Sequence, residues 1–524
     1  MAPPDQLLRE ADRLGRRVVA YIAVGLVAGA LAVGFRGALH AAYQLLLGGG
    51  NVLTGVTGLP AWACVVYPAA GCFVAVCLVT WARRGNQGVG GVMEAVALGR
   101  GRISFRASVV RAVACFAAVA TGASLGREGP IIQVGAGSGD VIGRRLALDD
   151  ADIRVLIAAG TAAGFAAAYG TPLAALLFVM EIVTGATSLR VLMPCALATV
   201  ASMALSRFFV GAAPLYGARV FDIADPAQLI LFVAVGLAAG AAGAGFMGLI
   251  DLGARGFARI PGPAPLRGAL GGALAGAVAI GLPGVAGNGY EALHRVLDVG
   301  DTAAALLLLA FGKAIATTCA VGGGTPGGVF TPALFLGAVL GRLMAVGFAA
   351  LGVTVEPGAY ALVGMAAVCA ATTHAPLMAA VLVFELSGDY GLALPLLAAA
   401  VAATGVARRL RHDSLYTQEL RRRGVDWVET PARVVAPAGL PSGQAALPPG
   451  YVLALVPAPA WLFDRPLTDV QSHPGLPAVV ALRRGSDFQW VDARGPAIVQ
   501  PGDELLAAGP PEAVALLGRF VPGD

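Results

Sequence analysis

A chain of 524 residues that is 57% hydrophobic and 13% charged, with 73 glycines and a mean hydropathy of +0.77, is not an ordinary soluble protein. Soluble domains carry roughly 25% charged residues. The formal charge of +5 sits mostly in basic clusters flanking apolar sequence, so it reports membrane topology and excludes a nucleic-acid polymer as the expected partner.

Residues 1–17 are charged and amphipathic, and the first apolar run, Val18–Leu47, is too long for the core of a cleavable signal. Apolar runs on the scale of a bilayer crossing, about 20 residues, then recur from Trp62–Trp81 to Leu392–Val406. Two of them, Val155–Val183 and Ala359–Leu386, are read as single stretches, while others are short or broken by Gly and Pro. Arg13, Arg16 and Arg17 precede the apolar region, and Arg408, Arg409, Arg411 and Arg421 to Arg423 follow it. By the positive-inside rule both termini are expected in the cytoplasm, with the chain crossing the cell membrane many times. The seven cysteines (Cys64, Cys72, Cys77, Cys115, Cys195, Cys319, Cys369) lack metal-ligand spacing and read as packed, reduced hydrophobes. Five scattered histidines and no nucleophile cluster argue against an enzyme, and neither metal nor cofactor is expected.

Within this apolar sequence, Leu125-Gly126-Arg127-Glu128-Gly129-Pro130-Ile131-Ile132 places a carboxylate and an arginine between glycines. Pro130 suits the first turn of a helix, so the spacing predicts a helix start with Glu128 just ahead of it. Such a start offers unpaired N–H groups and a positive dipole end, which suit an anion. The arrangement recurs. Gly126 and Pro130 are matched by Gly328 and Pro332, followed in both cases by glycines five and nine residues after the proline (Gly135 and Gly139; Gly337 and Gly341). Pro172-Leu173 then precedes Glu181 by nine residues, as Pro376-Leu377 precedes Glu385. The two prolines lie 42 residues apart in one half and 44 in the other. These landmarks predict two structural repeats, roughly 60–210 and 270–410. Repeats with helices broken at matching positions mark a transporter whose site lies near the midplane.

Gly126-Arg-Glu-Gly-Pro130, Gly327-Gly-Val-Phe-Thr-Pro332 and the run from Ala158 to Leu173 resemble the CLC chloride channel and transporter family over residues ~20–420. The resemblance implies an all-α membrane domain over residues 1–423, an inverted repeat of tilted and broken helices. It also implies a homodimer in lipid, each subunit with its own chloride pathway. Glu128 matches the gating glutamate, and Arg127 and Gly129 beside it are expected among the anion-binding residues. Val329 and Phe330 match the second anion-binding loop, and Tyr416 the tyrosine that reaches the central anion. Gly88-Val89-Gly90-Gly91-Val92 stands where the family usually has Gly-Ser-Gly-Ile-Pro, so Val89 and Gly90 offer backbone N–H groups without the serine hydroxyl. Ile182 stands where many family exchangers carry a proton-passing glutamate, the pattern of the family's channels. Proton-coupled exchange on the same fold is the alternative. Glu181 itself caps or packs locally.

Residues 424–450 are rich in Pro, Ala and Gly and read as a linker. Beyond it, Tyr451–Val456, Ala478–Leu482, Phe488–Val491 and Glu504–Ala508 read as strands, and Leu467–Ser472 and Pro511–Phe520 as helices. Through Arg465-Pro-Leu-Thr-Asp469, Val479-Val-Ala-Leu-Arg-Arg484 and Val499-Gln-Pro-Gly-Asp-Glu504, residues 451–524, expected to form a small cytoplasmic α+β domain, resemble the RCK C-terminal regulatory domain of potassium-channel proteins. That resemblance implies dimerisation and a ligand such as cyclic di-AMP. Arg483 and Arg484 either meet its phosphates or form a solvated strand end.

Overall fold

The computed structural model describes residues 4–82, 88–97, 102–185, 188–221, 227–298, 301–422, 452–465, 476–484, 487–490, 498–509, 514 and 517. The chain divides into two compact units, residues 1–427 and 428–524. The expected linker 424–450 lies outside the described residues.

In the first unit a long helix α1 (Pro4–Ala42) ends in a π-helical turn, and a short α2 (Val52–Gly58) follows, capped by Asn51. Seven helices come next: α3 (Ala61–Ala82), α4 (Val89–Ala97), α5 (Phe105–Ala120), α6 (Glu128–Arg145), α7 (Asp150–Tyr169), α8 (Pro172–Phe178) and α9 (Leu189–Val210). α10 (Gln228–Ala258) links them to a second seven. These are α11 (Ala264–Gly281), α12 (Tyr290–Asp298), α13 (Ala303–Gly322), α14 (Phe330–Ala350), α15 (Pro357–Thr373), α16 (Pro376–Ser387) and α17 (Ala393–Leu410). A final short α18 (Leu415–Arg422) closes the unit. The order long, short, long, long, long, short, long is the same in both sevens, as expected of repeats. Among the described residues nine helices are long and apolar enough to cross a membrane.

Two runs read as continuous in sequence are each a pair of helices. α7 stops at Gly170, with φ +77°, and α8 restarts at Pro172. α15 stops at His374, with φ +59°, and α16 restarts at Pro376. A left-handed residue ends the hydrogen-bond ladder and a proline cannot extend the preceding one, so hydrophobicity continues where the helix does not.

The two sevens interlock. Gly126 N–H donates to the Gly328 carbonyl at 2.7 Å, and Gly328 N–H returns the bond to Gly126 at 2.8 Å. These glycines are repeat equivalents, so this small antiparallel bridge lies on the local two-fold axis of an inverted repeat. The landmark glycines further along let backbones touch. A Cβ on Gly135 would lie 2.3 Å from the Gly160 carbonyl oxygen of α7, and one on Gly337 equally near that of Gly364 in α15. Small residues at such crossings are the usual device of membrane helix packing. α15 buries every residue from Gly358 to Thr373, which fits a helix apolar all round.

Glu181 caps a helix, though not a local one. Its carboxylate accepts from Leu377 N–H (3.2 Å) and Met378 N–H (2.6 Å) at the start of α16, 196 and 197 residues away. Glu385 does the same for Leu173 N–H (2.9 Å) and Ala174 N–H (2.8 Å) at the start of α8. Each repeat thus supplies the N-terminal cap of its counterpart.

The second unit is an antiparallel sheet of β1 (Val452–Pro457), β2 (Ala478–Arg484), β3 (Asp487–Trp490) and β4 (Glu504–Gly509), in the order β1-β4-β2-β3. Leu462, Val479, Leu482, Leu505 and Leu517 form its own core. All four expected strands are present. The expected helix Leu467–Ser472 lies outside the described residues, and of Pro511–Phe520 only Val514 and Leu517 are described.

Candidate functional site

Four helices begin at one cavity of about 290 Å³ in the first unit. Val89 opens α4, Glu128 opens α6, Phe330 opens α14 and Leu415 opens α18, and all four residues line it. Each helix start is worth about 0.3–2 kcal/mol to a nearby negative group. Four together offset much of the several kcal/mol an ion still loses on leaving water for a protein interior. Arg111 and Arg422 share the wall, with Phe165, Tyr169 and Met247 giving apolar surface. The electrostatics suit an anion.

Glu128 is the first residue of α6, where sequence spacing had put it one step earlier, and it is 1% exposed. One carboxylate oxygen accepts from the Tyr290 hydroxyl at 3.1 Å, while the other is buried without a hydrogen-bond partner among the described residues. That second oxygen fills the space over Gly126, where a Cβ would lie 2.5 Å from it. A buried acceptor left unsatisfied costs about 1–3 kcal/mol, so the seated carboxylate is only partly held. Gly129 lines the cavity as well. Arg127 does not belong to the wall; its guanidinium lies over the Tyr290 ring, 5.3 Å from the centroid.

Val329 caps α14 and lines the cavity with Phe330, whose ring packs edge-on against Phe165 and beside Tyr169. The Tyr169 hydroxyl meets Thr331 Oγ1 at 3.1 Å. Tyr416, 7% exposed, lines the opposite sequence end of the cavity and stands edge-on to Phe178. At the first loop, Gly88 N–H donates to Gln133 Oε1 at 3.0 Å, and Gly90 N–H donates to Glu419 Oε2 at 3.3 Å. Val89 lines the cavity and has no hydroxyl to offer there.

Three residues of this region escaped the sequence reading. Tyr290 opens α12, the repeat counterpart of α4. The helix starts could have revealed it, since Val89 precedes Glu128 by 39 residues and Tyr290 precedes Phe330 by 40. Lys313 is the chain's only lysine, a signal open to anyone counting. It is fully buried in α13 and donates to the carbonyls of Val285 (3.0 Å) and Gly287 (2.8 Å), fixing the turn that delivers Tyr290. Glu419 follows Tyr416 by three residues, one helical turn on.

In the second unit Arg483 pairs with Glu504. Arg484 grips Asp503 with both arms, Nε to Oδ1 at 2.8 Å and an Nη to Oδ2 at 2.6 Å, and also reaches the Ile498 carbonyl. Hydrogen bonds from Arg484 hold the Asp503 carboxyl below the usual carboxylate range. Neither arginine is a bare strand end.

A family profile described as "Voltage gated chloride channel" matches residues 70–408. A putative ClcB-like chloride channel protein of Ralstonia nicotianae is 38% identical over 414 residues, 77% of this chain and 96% of that one. The voltage-gated ClC-type chloride channel ClcB of Citrobacter koseri is 33% identical over 412 residues, 77% of this chain and 98% of its own. Among solved structures, a slow cyanobacterial Cl−/H+ antiporter superposes with a TM-score of 0.71 at 24% identity, over 78% of this chain and 98% of its own. A CLC-type fluoride/proton antiporter superposes at 0.64 and 22% identity, over 77% and 97%. At such identities the structural likeness is one of fold. The family match ends before the second unit begins.

Proposed function

Since the chain belongs to the voltage-gated chloride channel family, a family of multi-pass anion-transporting membrane proteins, we propose that it is a chloride-selective channel gated by Glu128. The observation that carries this reading is the half-held carboxylate of Glu128 at the start of α6, in a cavity where four helix starts meet. A carboxylate there stands in for the permeating anion. Protonation removes its charge, weakens its hold on the helix starts and yields the site to chloride. Val89, Gly90, Val329, Phe330 and Tyr416 are the proposed anion contacts, with Gly129 beside them and Arg127 acting through Tyr290.

Ile182, 4% exposed, supports a channel over a chloride/proton antiporter, because it carries no proton at the position where exchangers of the resemblance hold a glutamate. The proposal includes a homodimer in the cell membrane with both termini cytoplasmic. Leu173, Leu377, Leu394 and Val401, all more than 45% exposed, offer apolar surface to a second copy or to lipid. The second unit is proposed as a regulatory domain. A cyclic dinucleotide at Arg483 and Arg484 must first displace Glu504 and Asp503, so the sheet lends that ligand no support.

The test is simultaneous chloride and proton flux from liposomes. Wild-type chloride flux should rise as pH falls, Glu128→Gln should conduct independently of pH, and a chloride gradient should drive no protons uphill. A Glu128→Gln protein that keeps the wild-type pH response sinks the gate, and coupled proton movement sinks the channel.

A further inference from the structure

Glu419 holds a position that neither the gate nor the family likeness accounts for. α18 begins at the cavity, and one turn past Tyr416 the half-buried Glu419 carboxylate reaches the first turn of α4. There Oε2 accepts from Gly90 N–H at 3.3 Å. The glycines on either side of Val89 make the room. A Cβ on Gly88 would lie 2.4 Å from Glu419 Oε1, and one on Gly90 3.2 Å from its carboxyl carbon. Glu419 lines the same cavity as Glu128. The amide it engages is one of the donors assigned above to the anion, at the loop where Val89 brings no hydroxyl.

We propose that Glu419 is a second tethered carboxylate, which occupies the α4 end of the pathway and must swing away before chloride can use the Gly90 amide. The inference rests on the anion-pathway reading and adds a competitor to it. Glu128 and Glu419 act at different helix starts of one cavity, so the pathway holds an internal anion at each. The proposed movement is one of the Glu419 side chain; α18 itself is fixed to α10 through Asp251, which accepts from Gln418, Arg411 and Arg422. Arg111 and Arg422 supply positive charge to whichever anion is present.

A site open for only a fraction of the time binds its ligand more weakly by that fraction, so a carboxylate seated nine-tenths of the time costs about tenfold in apparent affinity. The experiment measures half-saturating chloride for flux from liposomes, and chloride binding to the purified full chain by calorimetry. Glu419→Gln keeps the size and an acceptor for Gly90 while removing the charge; Glu419→Ala empties the position. Both should lower half-saturating chloride by about fivefold or more and tighten calorimetric binding to match. Equal half-saturation in wild type and both variants, with a lowered melting midpoint, overturns the proposal and leaves Glu419 a helix cap. Absence of chloride flux and chloride binding in the wild type overturns the pathway reading, and this inference with it. Wild-type flux with unaltered variants overturns the inference alone.

Discussion

Among the described residues the Tyr290 hydroxyl donates the side-chain hydrogen bond that Glu128 accepts, so it weights the balance between a seated and a displaced carboxylate. A hydrogen bond to a charged group is worth about 1.5–3 kcal/mol, or roughly 10- to 150-fold in that balance. Tyr290→Phe should therefore raise chloride flux at neutral pH and flatten its rise toward acid, since displacement no longer waits for protonation. Liposome flux at neutral and acidic pH measures this, and unchanged neutral flux counts against Tyr290 as the latch. Glu128 was legible because a carboxylate amid apolar sequence is functional by default. Tyr290 was not, because a tyrosine after Gly287-Asn288-Gly289 looks like any aromatic following a turn until the helix starts are aligned. Lys313 stands out as the lone lysine, but its role was hidden for a different reason. Its task is to hold the Val285 and Gly287 carbonyls, and no pattern of spacing announces a side chain that serves backbone.

The elements were largely readable, and where they were not the reason is specific. Periodicity and hydropathy find helices, but α7–α8 and α15–α16 are joined by single left-handed residues. His374 is not the glycine that usually signals such a stop. The exchange of caps between repeats was beyond reach, because a glutamate spaced nine residues from a proline suggests a local partner. The actual partners, Leu377 and Met378 for Glu181, and Leu173 and Ala174 for Glu385, become neighbours only once the inverted repeats close on each other. N-terminal caps contribute about 0.5–2 kcal/mol each. Glu181→Ala and Glu385→Ala should each lower the melting midpoint of detergent-purified protein. The losses should be similar, given the matched geometry, and the double variant should lose more than either. A midpoint unmoved by Glu181→Ala returns it to the role of an idle polar residue.

At the scale of the whole molecule, the membrane unit is two halves locked by the Gly126–Gly328 bridge and by the traded caps, whereas residues 428–524 form a compact unit with a separate core. The strands of that second unit were legible from alternation, but the work of Arg483 and Arg484 was not, since their partners Glu504 and Asp503 arrive from a strand pairing. β2 lies against β4 with Arg483 opposite Glu504, which sets both arginines on carboxylates of their own sheet. A pair of this kind has a pH signature. Asp503 is held below the usual carboxylate range by Arg484, so its folded form binds its proton less readily than the unfolded chain does. The stability this contributes is complete at neutral pH, above the unfolded value. It drains away as pH falls through the unfolded value and then the folded one. In the full chain the second unit should therefore melt in its own transition, less stable in acid than at neutral pH. Arg484→Ala should lower the neutral midpoint and remove most of that acid dependence, while chloride flux stays at the wild-type level. Scanning calorimetry across pH beside liposome flux reads both. Were Arg484 kept for a phosphate, the variant would keep the wild-type midpoint and its slope with pH, and that outcome would overturn the structural assignment of the pair.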